Sequence, residues 1–160
     1  MNAERIMAQS HAGVAVEVVL ETGSTNADLL ARAPSLGAPV LLVAEHQTAG
    51  RGRAGRSWLS SPGHSLTFSL AWKFGGGLQK LTGLPLAIGT ALAETLGRLG
   101  QPVQLKWPND VLKDGDKLAG ILVETAPAPD GAVWTVIGIG LNLAMPDELE
   151  EQIGRAVAAV

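Results

Sequence analysis

One stretch of the chain alternates large apolar residues with small ones throughout: Leu66-Thr67-Phe68-Ser69-Leu70-Ala71-Trp72. Successive side chains of a β-strand point to opposite faces, so the four large residues share one face and the three small residues share the other. This pattern predicts a β-strand. The rest of the chain must therefore fit around a sheet.

The residues before this strand predict a strand, a short helix and a second strand. Ala15–Leu20 is rich in Val, and Val40–Glu45 is almost entirely aliphatic, as expected of buried strands. Between them, Ser24-Thr25-Asn26 offers hydroxyl and amide caps for a helix that runs through Ala33 and ends at Pro34.

The residues after it predict a helix, several strands and a closing helix. In order, these are a helix from Pro85 to about Leu99, a strand Val103–Trp107, a hairpin turning at Asp114-Gly115, a strand Ala132–Leu141 and a helix Asp147–Val160. Together the elements predict an α+β fold, in which helices back a mixed, largely antiparallel sheet.

The composition favours one compact domain. The chain has 160 residues, of which 46% are hydrophobic, and it contains no Cys. No apolar run approaches the roughly 18 residues that a membrane span requires. Met1–Gly13 lacks the apolar stretch of a secretory signal, and we expect it to be a flexible N-terminus. We therefore expect a single domain over residues 1–160 that is cytoplasmic and has no membrane partner.

The charges are distributed unevenly along the chain. Its formal net charge is −3, yet the segment His46–Ala93 contains no Asp or Glu. The same segment holds five basic residues, Arg51, Arg53, Arg56, Lys73 and Lys80. A cationic segment inside an acidic protein indicates a local anionic ligand rather than a basic face for a long polymer.

The segment Gly50–Arg56 reads Gly-Arg-Gly-Arg-Ala-Gly-Arg. Its glycines match the G-x-G-x-x-G dinucleotide motif, but that motif requires a helix directly afterwards, and Ser57–Gly63 contains Trp, Pro and Gly. A surface loop with solvated arginines is a second interpretation, although guanidinium groups this close repel one another. A bound anion explains the segment best, because Arg forms forked hydrogen bonds to phosphate and carboxylate.

Two further segments combine charged and turn-forming residues. Lys106–Asp110 is either an Asx turn or a rigid turn that projects polar side chains beside the sheet. In Lys117–Glu124 the leading Lys is either a solvated hairpin charge or a cation at the edge of a sheet. Gly138 and Gly140 weaken the last strand, which indicates a close approach by backbone or ligand. The three histidines show no ligand spacing, and we assign no metal site.

These motifs occur together in an order that resembles biotin protein ligases. The resemblance extends from Glu21 to Asn142 and rests on five segments. They are Ser24-Thr25-Asn26, Gln47 with Gly50–Trp58, Lys106-Trp107-Pro108-Asn109-Asp110, Lys117-Leu118-Ala119-Gly120-Ile121-Leu122-Val123-Glu124, and Gly138-Ile139-Gly140-Leu141-Asn142.

The resemblance implies a two-step reaction. Biotin and ATP, which brings Mg²⁺, form biotinyl-5′-AMP and pyrophosphate, and the biotin then passes to one lysine of the biotin carboxyl carrier protein of acetyl-CoA carboxylase. The implied fold is the biotin/lipoate-ligase-like catalytic domain, related to class II aminoacyl-tRNA synthetases. Adenylation brings together two anions, the biotin carboxylate and the ATP α-phosphate, and such reactions depend on positioning and charge stabilisation.

The resemblance also implies which residues contact each substrate. For biotin they are Ser24, Thr25, Asn26, Gln47, Gly50, Arg51, Gly52, Arg53, Lys117, Gly120, Gly138 and Gly140, with the last three making room for the biotin tail. For ATP they are Arg53, Arg56, Trp58, Lys106, Asn109, Asp110, Lys117 and Asn142. Those that stabilise charge during catalysis are Lys117, Arg53 and Arg51.

The chain departs from the family pattern at two places. Ala54 occupies a position where the family often has a second Arg, and we expect the family's C-terminal β-barrel domain to be absent. We also expect no DNA partner, because nothing before Val14 could form a helix-turn-helix. A homodimer is compatible with the resemblance. A lipoate or octanoyl ligase, a non-catalytic biotin-binding domain and a nucleic-acid-binding module are the alternatives.

Overall fold

A mixed seven-stranded sheet is the frame of the computed structural model, which describes residues 1–10 and 13–160. The strands are β1 (Ala15–Thr22), β2 (Val40–Gln47), β3 (Ser65–Phe74), β4 (Gln104–Lys106), β5 (Asp110–Lys113), β6 (Asp116–Pro127) and β7 (Val133–Asn142). They lie in the order β1-β2-β3-β7-β6-β5-β4. β1 and β2 pair in parallel, and the other neighbouring pairs are antiparallel. The predicted α+β class is confirmed.

Four α-helices lie among the described residues. They are α1 (Ala3–Met7), α2 (Thr25–Arg32), α3 (Leu84–Arg98) and α4 (Asp147–Ile153). None of them is long and apolar enough to cross a membrane. Short 3-10 turns occupy Ala33–Ser35, Arg53–Gly55 and Leu78–Leu81.

The small residues of the central strand β3 are the more deeply buried ones. Thr67, Ser69 and Ala71 are at most 1% exposed, whereas the large residues between them are only partly buried. The small face packs against α2, and the core on that side includes Leu29 of α2. A second core on the α3 side includes Leu96. Small side chains on the α2 face leave room above the sheet, and the cavity described below lies there.

Local signals placed most of the predicted elements correctly. The Ser24 side chain accepts a hydrogen bond from the Ala27 N–H and caps α2, as its position before the helix predicts. Asp114 and Gly115 both adopt positive φ, 54° and 93°, in the turn between β5 and β6. Positive φ at both central residues suits a two-residue hairpin turn.

One end of the chain contains a helix that was not predicted, and the other ends its helix earlier than predicted. Asn2 caps the short helix α1, which packs against β1, inside the segment expected to be flexible; residues 11 and 12 of that segment lie outside the described residues. The closing helix was predicted to reach Val160, which is wrong. It ends at Ile153 because Gly154 adopts a left-handed conformation with φ 71°, and Val157 then bridges to Lys117 at the start of β6.

Candidate functional site

A cavity of about 80 Å³ opens on the α2 face of the sheet. Its floor is formed where β3, β6 and β7 carry their smallest residues side by side, because Ser69 pairs with Gly138, and Gly120 pairs with Gly140. The N-terminus of α2 forms one wall and the arginine-rich segment Gly50–Trp58, which we call the arginine loop, forms another.

The glycines of this floor make space for side chains of the protein itself. A Cβ at Gly138 would lie 2.2 Å from Asn26 Oδ1, and one at Gly140 would lie 2.3 Å from the Trp58 ring. At Gly120 the nearest atom would be Lys117 Nζ, at 3.2 Å. Each glycine therefore allows Asn26, Trp58 or Lys117 to lie flat against the sheet, a role that the sequence analysis had not foreseen.

Buried polar side chains join one end of the cavity into a continuous network. Gln47 Oε1 accepts hydrogen bonds from the Thr25 backbone N–H at 2.8 Å and from Thr25 Oγ1 at 3.0 Å. Thr25 Oγ1 also lies 2.7 Å from Ser69 Oγ, which donates to Asn26 Oδ1 at 2.6 Å. All four residues are at most 9% exposed. Their mutual bonds fix their orientation, because an unpaired polar group would be costly at this depth.

Glu124 connects this network to the arginine loop. Its Oε2 accepts a hydrogen bond from Asn26 Nδ2 at 2.9 Å, and its Oε1 forms an ion pair with Arg51 Nη2 at 2.6 Å. The carboxylate thus holds a buried amide with one oxygen and a partly exposed guanidinium with the other. Glu124 belongs to the Lys117–Glu124 motif, but the sequence analysis had assigned it no role.

The arginine loop is folded back on itself as a tight antiparallel turn. Trp58 N–H donates to Gly50 O at 2.9 Å, and Gly52 N–H donates to Arg56 O at 2.7 Å. A Cβ at Gly50 would lie 2.3 Å from Trp58 O, so the closure of the loop requires glycine there. Ala54 sits at the tip with φ 55°, a left-handed conformation that is unusual for alanine.

Lys117 is the least exposed of the basic residues that line the cavity among the described residues. Its Nζ donates to Asp110 Oδ1 at 2.7 Å and lies 5.8 Å from the centre of the Trp58 ring. The Lys117 side chain is 17% exposed, so it is more deeply buried than the Arg51 side chain at 48%. Beside it, Arg53 Nη1 donates to Asn109 Oδ1 at 3.2 Å, which brings the Lys-Trp-Pro-Asn-Asp segment to the cavity.

A second cavity, of about 430 Å³, adjoins the first. Arg56, Trp58, Lys117 and Arg155 line both cavities, so the two are continuous around these side chains. The Trp58 Nε1–H is buried and has no hydrogen-bond acceptor among the described residues. An unpaired buried donor beside an open cavity is a site where a ligand acceptor can bind.

The structure brings most of the predicted site residues together. Those lining the first cavity are Ser24, Thr25, Asn26, Gln47, Arg51, Gly52, Arg53, Arg56, Trp58, Asn109, Lys117, Gly120, Gly138 and Gly140. Asn142 lines the second cavity, but its Nδ2 donates to backbone oxygens of Lys117 and Ala158. Gly50 and Asp110 do not line a cavity, but they form hydrogen bonds with the cavity residues Trp58 and Lys117.

Lys106 is the predicted residue that the structure does not bring to the site. It lies exposed on the edge strand β4 and lines neither of the two cavities. Ser69 and Arg155 line the cavities and Glu124 contacts Asn26 and Arg51, although none of the three was predicted as a site residue. Ser69 lies on the face of β3 that carries the small residues, and this pattern could have predicted its place beside a cavity. No local sequence pattern marks Arg155 as a site residue.

Fold and site together indicate a protein that binds small, anionic molecules. One end of the cavity is a neutral, hydrogen-bonding pocket and the other is rich in cations, and no Asp or Glu lines either cavity in the part of the chain that the structure describes. Such an arrangement suits a small polar molecule whose anionic group meets further anions at the cationic end.

The comparison with known proteins identifies the family. The model of the biotin/lipoate A/B protein ligase family matches residues 16–142, and the chain belongs to this family. It is 44% identical over 147 residues to the bifunctional ligase/repressor BirA of Escherichia coli, covering 91% of this chain and 45% of that protein. It is 45% identical over 144 residues to the biotin–[acetyl-CoA-carboxylase] ligase of Mycobacterium tuberculosis, covering 84% of this chain and 52% of that protein. The chain therefore spans about half the length of these curated relatives.

Solved structures show the same fold. The biotin protein ligase of Aquifex aeolicus in complex with biotin and ATP superposes with a TM-score of 0.65 at 35% identity, covering 89% of this chain and 62% of that one. The biotin protein ligase of Leishmania major in complex with biotin gives a TM-score of 0.68 at 26% identity, over 89% of this chain and 67% of that one. A lipoate protein ligase of Thermoplasma acidophilum, at 16% identity and a TM-score of 0.64, shares the fold.

Proposed function

We propose that this chain is the catalytic domain of a biotin protein ligase. It would convert biotin and ATP to biotinyl-5′-AMP and pyrophosphate, and then transfer biotin to a lysine of the biotin carboxyl carrier protein of acetyl-CoA carboxylase. The observation that carries the proposal is the joining of a neutral, buried polar pocket to a cationic cavity through Lys117. The names of the relatives, which include biotin–[acetyl-CoA-carboxylase] ligases, support the same substrates.

The polar network would bind the ureido ring of biotin. Gln47 Oε1 is engaged by Thr25, so its Nε2 group is the end that would donate to the ureido oxygen. The Ser24 hydroxyl, at the N-terminus of α2, would add a second polar contact. Because these groups are already oriented by the protein, little conformational entropy would be lost when the ring binds.

The cations would bring the two anions of the first step together. In that step a carboxylate oxygen of biotin bonds to the α-phosphorus of ATP, the bond from that phosphorus to the bridging oxygen breaks, and pyrophosphate leaves. Lys117 and Arg53 would hold the carboxylate and the α-phosphate and stabilise the charge that develops between them. Arg51 would contribute from the biotin side, where Glu124 positions it.

The remaining site residues would bind the nucleotide. Trp58 would pack beside the adenine, and Arg56 and Asn109 would contact the phosphate and ribose side. Mg²⁺ prefers oxygen ligands and often keeps several waters and substrate phosphates. Asp110 is paired with Lys117 and no carboxylate lines either cavity among the described residues, so the ATP phosphates and water would supply most of the ligands of the metal.

In the second step the ε-amine of the carrier lysine attacks the carbonyl carbon of the mixed anhydride. An amide bond forms, the bond from that carbon to the phosphate oxygen breaks, and AMP leaves with the electron pair of that bond. The amine loses one proton to solvent. By enclosing the adenylate, the arginine loop would keep water from competing with the lysine.

The first step is tested by pyrophosphate exchange. We expect the chain to incorporate labelled pyrophosphate into ATP when biotin is present and not when it is omitted. Exchange that requires lipoate or octanoate instead of biotin would make the chain a lipoate-type ligase of the same family. Calorimetric binding of biotin without any exchange would make it a biotin-binding domain, and both results would contradict the proposal.

The second step is tested with an isolated biotin carboxyl carrier domain. We expect its mass to rise by one biotinyl group when the chain, biotin and ATP are present. The same carrier with its acceptor lysine replaced by Arg is the control and should not change. An unmodified carrier in the presence of pyrophosphate exchange would limit the function of this chain to adenylation.

A further inference from the structure

Arg155 occupies its position because α4 stops early. Gly154 adopts φ 71° and its N–H donates to Glu150 O at 3.0 Å, which ends the helix. A residue with a side chain is strained in that conformation, so glycine sets the point at which the chain turns. Arg155 is the next residue and lies in a bend, two residues before the bridge that Val157 forms.

The segment after Arg155 is fixed to the edge of the site. Val157 bridges to Lys117 in parallel, and Ala158 N–H donates to Lys117 O at 3.0 Å. Asn142 Nδ2 donates to Ala158 O at 3.0 Å from the other side. These bonds fix Val157 and Ala158, which lie two and three residues after Arg155. The Arg155 side chain therefore lies at the junction of the two cavities and lines both.

The charges of the two cavities are neutralised unequally. Arg51 is paired with Glu124 and Lys117 with Asp110. Arg155 has no carboxylate within 4.0 Å among the residues that the structure describes. An exposed guanidinium of this kind keeps its full capacity to form forked hydrogen bonds with phosphate oxygens.

We propose that Arg155 is a nucleotide-binding residue that contacts the polyphosphate of ATP at the junction of the two cavities. The inference rests on the proposed function, because it takes ATP as the ligand of the second cavity. Arg155 lies beyond residues 16–142, which the family model matches, so neither the family motifs nor the resemblance assigns it a role. The segment after α4 would then complete the nucleotide site that the arginine loop begins.

The test is a comparison of ATP and biotin affinities in the variant Arg155→Gln. We expect the calorimetric Kd for the non-reacting analogue α,β-methylene-ATP to rise by about five- to twentyfold, since one charge-assisted contact is lost. The Kd for biotin should stay within about twofold and the Tm should not change, because Arg155 makes no contact with the polar network. Arg155→Lys, which keeps the charge, should recover part of the affinity for the nucleotide.

A matched control is Arg98→Gln. Arg98 is an exposed arginine at the end of α3 whose carboxylate neighbour is Glu94 at 3.6 Å, and it lines neither cavity. Its loss should leave both affinities unchanged. An unchanged nucleotide Kd in Arg155→Gln, or an equal loss of nucleotide and biotin affinity with a lower Tm, would overturn the inference while wild-type binding still supported the proposed function. Failure of the wild-type chain to bind nucleotide at all would overturn both.

Discussion

The two ends of the joined cavity are built differently. At the end beside α2, polar groups such as Thr25 and Ser69 are buried and bonded to one another, and Arg51 is held by Glu124. At the other end the cavity is larger, and the guanidinium groups of Arg56 and Arg155 have no carboxylate neighbour within 4.0 Å among the described residues. The first end is organised by the protein alone. The second end holds like charges that only an anionic ligand would neutralise, so ligand binding should matter more for its order.

Lys117 stands between the two ends, and its loss should have the largest effect. We expect Lys117→Met to lower the rate of pyrophosphate exchange by about 10²- to 10³-fold, because a donor that stabilises the developing charge is removed. Binding of the biotin ring should be reduced much less. Initial rates of exchange at saturating biotin and ATP measure the effect.

Lys113→Met is the control for this variant. Lys113 lies on the same hairpin and donates to Ala159 O at 2.9 Å, outside both cavities. Its loss should leave the exchange rate unchanged. If Lys117→Met lowered the Tm strongly and the exchange rate only in proportion, Lys117 would be a structural partner of Asp110 rather than a catalytic residue.

The organised end is tested by Thr25→Val, the next largest effect. Valine keeps the shape of threonine but removes the hydroxyl that joins Gln47 to Ser69, so Gln47 Oε1 and Ser69 Oγ each lose one buried partner and keep another. The loss of these two contacts loosens the groups that would bind the ring and costs about 1–3 kcal/mol in all, so we expect the Kd for biotin to rise by about 5- to 150-fold. Titration calorimetry with biotin alone measures it.

Thr67→Val provides the comparison. Thr67 lies on the same face of β3, is 1% exposed, and donates to the backbone oxygen of Ala44 at 3.0 Å without lining the cavity. It should lower the Tm to a similar degree and leave the affinity for biotin unchanged. Similar losses of affinity in both variants would mean that the network supports the fold and does not recognise the ligand.

The sequence indicated more of the fold than of the connections within the site. Ser24, Pro85 and Asp114-Gly115 act over a few residues, so the cap, the helix start and the hairpin could be predicted. The pairing of Arg51 with Glu124 joins residues 73 positions apart and depends on the order of the strands. Arg155 reaches the site because the chain makes a left-handed turn at Gly154. The segment before Gly154 has a helical pattern, so the sequence predicted that the helix would continue through this turn.

The ion pair of Arg51 and Glu124, which links the arginine loop to the polar network, should have a smaller effect on stability. This effect is measured as a coupling energy. In a double-mutant cycle on Arg51→Ala and Glu124→Gln, we expect a coupling of about 1 kcal/mol in the free energy of unfolding, because the pair is only partly exposed. Chemical denaturation of the wild type, the two single variants and the double variant provides the four values. Additive effects would show that Glu124 does not position the loop.

The Lys73–Asp130 pair is the reference for this cycle. Its atoms are also 2.6 Å apart, but Asp130 is highly exposed and the pair lies outside both cavities. The hydrogen bond from Lys73 lowers the pKa of the Asp130 carboxyl, so this carboxylate keeps its charge further into the acid range. Its coupling energy should be smaller than that of Arg51 and Glu124, and neither of its variants should change the affinity for biotin.

The difference between the two ends is tested most directly by the salt dependence of binding. Titrations of biotin and of α,β-methylene-ATP at 50 and 500 mM NaCl compare a ligand whose ring would bind a neutral, buried pocket with a ligand whose phosphates would bind cations that are exposed to screening. We predict that the Kd for the nucleotide analogue rises by about tenfold or more, whereas the Kd for biotin changes by less than about threefold. If the Kd values of the two ligands changed equally with salt, the proposed difference between the two ends of the cavity would be wrong.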